Sequence, residues 1–260
     1  MEQLKPALER MARRIAGVLQ DDEPSIYVYG SVTLGDFRLG WSDIDLLVLT
    51  RTEITAAQAR QLVTLRQAVQ QERPEDPYIR AFEGGMRTWR SFLTGAPDRV
   101  VYWGTSGERV TDHYIFDNFG RCQLLDTGWL LAGPDWRGEI VRPDGCALRR
   151  DVQRHYETIR QYAREPGRSL YAFGWLLDIS RCLYTLRTGA ILAKTAAGEW
   201  ALREGLCPCR AALEQALTVR REPLCYRDDP AVLDAAAALG GAIQRYADVL
   251  EQALAATGGY

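Results

Sequence analysis

The sequence predicts a mixed α/β domain over residues 1–140 followed by an all-helical bundle over residues 141–260. Three observations carry this. Strand-like apolar runs bounded by turn residues are confined to the first half. Beyond about residue 147 the apolar repeats all have helical spacing. Between the halves, Pro134, Gly138, Pro143 and Gly145 punctuate a stretch that reads as a linker, with the boundary near residue 140.

The elements follow in order. Leu4, Leu8, Met11, Ile15 and Leu19 recur at helical spacing between arginines and glutamates, so the chain opens on an amphipathic helix. Asp21-Asp22-Glu23-Pro24 ends it, and Ser25 to Tyr29 is the first strand. After Gly30-Ser31 comes a glycine-rich loop, Gly35 to Gly40, expected to expose Asp36 and Arg38. The second strand runs to Thr50, and a second helix covers about Thr55 to Gln71, with Leu62, Leu65 and Val69 on one side. Arg73-Pro74-Glu75-Asp76-Pro77 breaks the chain. Tyr78 to Glu83 reads as a short strand ended by Gly84-Gly85, and Asp98 to Trp103 as another strand. A helix is expected from about Thr111 to Leu125. In the second half, helices are expected at about 147–164, 170–187, 195–203, 210–221 and 231–255, with proline and glycine between them.

Composition narrows the function. A chain of 260 residues with 47% hydrophobic residues can bury a substantial core and divide into two domains. A formal net charge of -2 gives no general attraction to polyanions and argues against a dedicated nucleic-acid binder. No apolar run has membrane-spanning length and the first helix is too charged for a signal peptide, so the expected location is cytoplasmic. Of the six cysteines only Cys207 and Cys209 lie close together, and one intervening residue is poor zinc spacing. His113 and His155 are distant in sequence from that pair; reduced thiols and no structural metal are expected.

Chemistry concentrates at two strand ends. Gly30-Ser31 closes the run Tyr27-Val28-Tyr29, and Asp43-Ile44-Asp45 opens the run that continues Leu46-Leu47-Val48. Side chains alternate along a strand, which puts Asp43 and Asp45 on one face. Adjacent carboxylates repel unless a cation lies between them. A divalent ion beside a Gly-Ser turn able to hold phosphate is the start of a nucleotide site. A plain hairpin with polar turn residues would leave Asp45 unexplained inside an apolar run.

Gly30-Ser31, a spacer and Ser42-Asp43-Ile44-Asp45 leading into a hydrophobic strand resemble the signature of the DNA polymerase beta-like nucleotidyltransferases. The fuller pattern is similar to the streptomycin/spectinomycin adenylyltransferases among the aminoglycoside nucleotidyltransferases. That resemblance implies a nucleotidyltransferase domain, with Gly30, Ser31 and Ser42 at the nucleotide, ATP as co-substrate and Mg2+ held by Asp43 and Asp45. It implies a third carboxylate on the strand after the crossover helix, as metal ligand and base. Glu83 matches by order and setting, with Asp76, Asp98 and Glu108 as rivals.

The second half carries a resemblance of its own. Ser180-Arg181 within Leu177 to Tyr184, then Lys194 before Trp200-Ala201, parallel the helical domain of the same enzymes. Arg181 and Lys194 would bind the triphosphate, and Tyr226 would lie on the nucleotide. The acceptor implied is an aminoglycoside or aminocyclitol such as spectinomycin or streptomycin, handled by a monomer or weak homodimer. Trp175, Asp178, Tyr171, Asp112 and Asp117 are candidate linings for a polycation. Tyr162 and Gly167 stand near where family members place a Trp and an Asp for streptomycin, which counts against streptomycin and leaves spectinomycin or an unrelated hydroxyl compound open.

Two other classes compete. Arg149, Arg150, Arg154, Arg160, Arg164 and Arg168 give a local basic face suited to a toxin–antitoxin nucleotidyltransferase acting on RNA or protein, although Asp151, Glu157 and Glu165 interleave them. A catalytically silent nucleotide-binding module is the other, and it would have no need of three acids.

Overall fold

The computed structural model describes residues 3–20, 22–104, 107–112 and 114–256; Asp21 and His113 lie outside them. The chain folds as two compact units, one of Met1–Leu34 with Asp43–Arg142 and one of Gly35–Ser42 with Pro143–Tyr260.

The first unit is a sheet with helices. Its elements are α1 (Lys5–Val18), β1 (Ser25–Tyr29), β2 (Ile44–Thr50), α2 (Ala56–Glu72), β3 (Phe82–Thr88), α3 (Trp89–Thr94), β4 (Val100–Trp103), β5 (Arg109–Thr111), α4 (Asn118–Thr127) and β6 (Trp129–Ala132). Six strands among the described residues pair in the order β5-β4-β3-β2-β1-β6. Only β2 and β3 are parallel. That pair needs a crossover, and α2 provides it. Thr55 starts α2 with a capping box, its hydroxyl accepting from the Gln58 amide while Gln58 returns a bond to the Thr55 amide. On one face of β1 and β2, Tyr27, Tyr29, Leu47 and Leu49 pack with Phe92, Phe116, Leu124 and Trp136. Alternation continues this odd-numbered face to Asp45 and Asp43, so the acids are where the aromatic core meets the sheet end.

Three expectations for this unit change. β3 does not stop at the glycine pair but runs through it, and Glu83 is its second residue. Both glycines are there for space: a Cβ on Gly84 would lie 1.9 Å from the Leu46 carbonyl oxygen, and one on Gly85 2.5 Å from the Tyr114 ring. Ile79–Ala81 form a turn of 3-10 helix instead of strand. The helix expected from Thr111 begins only at Asn118, where the Asp117 carboxylate caps the Gly120 amide at 2.7 Å.

The second unit is helical: α5 (Gly145–Tyr162), α6 (Tyr171–Thr188), α7 (Lys194–Arg203), α8 (Arg210–Arg221), α9 (Pro223–Tyr226), α10 (Pro230–Ala237) and α11 (Gly240–Ala256). Most of α6 is buried, including Phe173, Leu176, Leu177, Ile179 and Leu183, and it packs against α5, α7, α8 and α11. Gly198 lets α7 approach closely, since a Cβ there would lie 2.8 Å from Leu177 and 3.0 Å from Leu217. The single helix expected over 231–255 is instead two. Gly240 opens the second against the Arg164 carbonyl oxygen, 1.9 Å from where a Cβ would stand. No helix among the described residues is long and apolar enough to cross a membrane.

Candidate active site

Strand register builds the acidic group. Tyr29 lies opposite Asp45 across β1 and β2, and Asp45 lies opposite Glu83 across β2 and β3. Asp43 precedes β2 by one residue. Gly30 follows β1 at φ 73°, and a Cβ there would stand 2.0 Å from Asp45 Oδ2. The Asp45 carboxylate therefore rests against a bare backbone that only glycine supplies. The Gly30 carbonyl accepts from the Leu34 amide at 3.0 Å and the Thr33 hydroxyl at 3.2 Å, closing the turn. Ser31 Oγ donates to the Asp43 carbonyl at 3.3 Å.

Tyrosines fence the acids. Tyr102 Oη donates to Glu83 Oε1 at 2.9 Å, and the Arg109 guanidinium lies 4.5 Å over the Tyr102 ring. Burial first, then the Glu83 bond and charge with a contribution from Asp43, pushes the Tyr102 hydroxyl up to about 12 against the pull of Arg109. Burial also raises Tyr29 and Tyr114, with the Asp45 charge adding to both. At neutral pH these hydroxyls keep their protons.

Glu83's sequence rivals are engaged elsewhere. Asp76 pairs with Arg10 at 2.7 Å, and Glu108 with Arg66 at 2.7 Å. Asp98 accepts from the Thr88 amide at 2.7 Å and Ser91 Oγ at 2.8 Å, tying down the start of α3.

In the second unit, Arg181 and Lys194 gather around Asp178. Arg181 Nη2 donates to Asp178 Oδ1 at 2.6 Å, and His155 Nδ1 lies 2.6 Å from Oδ2. Burial alone would raise the Asp178 carboxyl, but the charges of His155, Arg181 and Lys194 hold it well below the carboxylate range. Asp178 is thus a buried counter-ion within this group of cations. His155, Asp178 and Cys182 offer ligand atoms all within 4.8 Å of one another, so folding sets a histidine beside a cysteine that is remote in sequence. Arg181 and His155 already hold the two Asp178 oxygens and the Lys194 charge acts on the same carboxylate, a donor set suited to an ion-pair network more than to a metal.

Asp36 corrects the expectation of exposure: it is 4% exposed and pairs with Arg220. Ser42 Oγ accepts from the Arg38 amide at 3.0 Å, bracing the same loop. Tyr226 ends α9, half-buried. Tyr171 is exposed with its ring 6.2 Å from Trp41, Trp175 is half-buried, and Asp112 is exposed. The basic face of α5 is heavily paired. Arg154 meets Asp151, Arg160 meets Asp248 and Glu251, and Arg168 just beyond meets Asp234. Sequence reading missed Tyr102, Arg220 and the His155–Asp178 contact. Only Tyr102 left a trace, as a polar ring on a strand beside Gly104, where a Cβ would lie 2.0 Å from its hydroxyl.

The nucleotidyltransferase domain model matches residues 12–82, which contain the Gly-Ser turn, both aspartates and the strand entry to Glu83. With this fold and these acids, the chain is a nucleotidyltransferase. The model of the aminoglycoside adenylyltransferase C-terminal domain matches residues 146–239. The chain belongs to the aminoglycoside adenylyltransferases. Its fold is similar to a crystal structure of spectinomycin adenyltransferase AAD(9) from Enterococcus faecialis with ATP and spectinomycin. The TM-score is 0.66 at 14% identity, over 96% of this chain and 98% of that one. No curated protein matches the sequence.

Proposed function

We propose that this chain moves AMP from ATP to a hydroxyl of an aminoglycoside or aminocyclitol, releasing pyrophosphate. The observation that carries it is the in-register neighbouring of Asp45 and Glu83 beside the Gly30 turn. Residues 1–140 would form the catalytic domain and residues 141–260 the helical domain that serves nucleotide and acceptor.

The donor set fits magnesium: Asp43, Asp45 and Glu83 are hard oxygen ligands, and Gly30 leaves open backbone where a side chain would crowd Asp45. Bound there, the ion would neutralise phosphate oxygens and stabilise the attacking and leaving oxygens. The chain's own groups do the rest. Gly30, Ser31 and Ser42 would seat the nucleotide. Glu83 takes the proton of the acceptor hydroxyl as its oxygen attacks the α-phosphorus in line and the bond to pyrophosphate breaks. General-base help of this kind is worth about 10²–10⁴-fold in rate. Arg181 and Lys194 bind the triphosphate and balance the charge of the leaving pyrophosphate; the α7 N-terminus adds its dipole. Tyr226 is assigned to the base or ribose. Spectinomycin is the favoured acceptor, supported by the bound spectinomycin of the similar fold and by Tyr162 and Gly167 at the positions noted for streptomycin.

The test is direct. The protein is incubated with ATP, Mg2+ and a panel of aminocyclitols and aminoglycosides, and pyrophosphate and an acceptor heavier by AMP are measured. Pyrophosphate with a spectinomycin–AMP adduct is expected. No adduct with any acceptor, while ATP still binds, would overturn the reading in favour of a silent nucleotide binder.

A further inference from the structure

α7 begins at Lys194, and its own N-cap residue, Ala193, makes no side-chain cap. The cap comes from a distant loop. Asp36 Oδ2 accepts from the Thr195 amide at 3.1 Å, and Oδ1 accepts from the Thr195 hydroxyl at 2.6 Å. Arg220, on α8, grips the same carboxylate. Its Nη2 donates to Oδ2 at 2.8 Å and to the Asp36 carbonyl at 3.2 Å, while Nε donates to Thr195 Oγ1 at 3.2 Å. The side chains of Asp36 and Arg220 are 6% and 3% exposed, so this pair has left water.

A buried ion pair adds little net stability over an apolar pair of the same size. What it does here is collect charge. Burial lowers the Arg220 pKa, and Arg181 and Arg38 lower it further by repulsion, with Asp36 opposing. Arg38 Nε itself lies 4.0 Å from Asp36 Oδ1, buried with no hydrogen-bond partner among the described residues. A loop carboxylate thus fixes the first turn of a helix and offsets a crowd of cations beside it.

We propose that Asp36 is a positioning residue for nucleotide binding: by capping α7 from the loop and holding Arg220, it sets Lys194 where it meets phosphate. This rests on the reading of Lys194 as a phosphate ligand. Asp36 and Thr195 act through Lys194 and need not touch the nucleotide.

The experiment measures binding of a non-hydrolysable ATP analogue with Mg2+, alongside KM and kcat, for Asp36→Asn, Thr195→Val and Thr195→Ser in wild-type and Lys194→Ala backgrounds. Thermal melts establish that each variant is folded. Asp36→Asn and Thr195→Val should each weaken analogue binding about tenfold, the size of one lost charge-assisted hydrogen bond. Thr195→Ser should restore it, and kcat at saturating ATP should move much less than KM. In the Lys194→Ala background, Asp36→Asn should add little. Thr195→Val leaves the buried ion pair intact, so the proposal stays testable if Asp36→Asn does not fold. Unchanged binding in folded Thr195→Val, or a full tenfold loss persisting without Lys194, would overturn the proposal alone. Undiminished binding by Lys194→Ala itself would overturn the phosphate-ligand reading, and the proposal with it.

Discussion

The hydroxyl of Tyr102 lies 2.9 Å from Oε1 of Glu83 and donates to it. Burial, with the Glu83 bond and charge, pushes the Tyr102 hydroxyl up to about 12, so it keeps the proton it donates at neutral pH. It orients the carboxylate assigned as base, and Arg109 steadies the ring from its other side. Tyr102→Phe should cut kcat about tenfold with little change in KM for ATP, the cost of one hydrogen bond to a charged group. Glu83→Gln should lose about 10²–10⁴-fold, and the double variant should be no worse than Glu83→Gln. Steady-state kinetics decide; independent, multiplying losses would mean the two side chains do not act as a unit.

Asp43→Asn and Asp45→Asn should each abolish transfer and leave the melting temperature within a few degrees of wild type. Each swap keeps the shape and removes one hard anionic ligand. Mg2+ titration followed by analogue binding should show the lost metal dependence; retained turnover in either variant would remove that residue from the metal site.

Gly30→Ala should lose activity and stability together. The backbone there is left-handed, which costs a non-glycine residue about 1–3 kcal/mol, and the new methyl meets the Asp45 carboxylate. A denaturant melt and an activity assay on the same preparation check it. Wild-type turnover would show that the turn relaxes without moving Asp45.

Gly84→Ala should be harsher, because the obstacle is the Leu46 carbonyl and not a movable side chain. With φ at 147°, alanine must part β2 from β3 and shift Asp45 against Glu83. A stability loss above about 3 kcal/mol is expected, beyond ordinary overpacking. Soluble protein with a wild-type melt would contradict the register.

Asp178 makes stability acid-sensitive. Its folded pKa is lowered by His155, Arg181 and Lys194 against the effect of burial. A carboxyl depressed in the fold stabilises fully above its unfolded pKa of about 3.9 and loses that contribution as pH falls through the folded value. The gap in melting temperature between wild type and Asp178→Asn should therefore be widest near neutrality and narrow below about pH 4. A pH-independent gap would show that Asp178 is not ionised in its buried pairs.

The sequence made the acid pair legible because Asp43 and Asp45 break an apolar run that nothing else accounts for. Lys194 stood at a helix start, and α7 begins there. Other features were invisible because their cause lies far along the chain. Asp36 sits in a loop of glycines and polar residues, and the partners that make its burial tolerable, Thr195 and Arg220, come 159 and 184 residues later. Gly84-Gly85 looked like a strand end, since nothing local reveals Leu46 or Tyr114 above them. β5 and β6 escaped notice as short edge strands whose Val110 and Trp129 are 46% and 37% exposed, leaving no buried pattern to read.

The parallel pairing of β2 with β3 has a temporal consequence. Asp45 and Glu83 meet only when the whole crossover through α2 has closed, a non-local contact that local structure alone does not make. The acid pair therefore exists only in a sheet whose β2 and β3 have paired in register. No half-assembled sheet can carry out the chemistry.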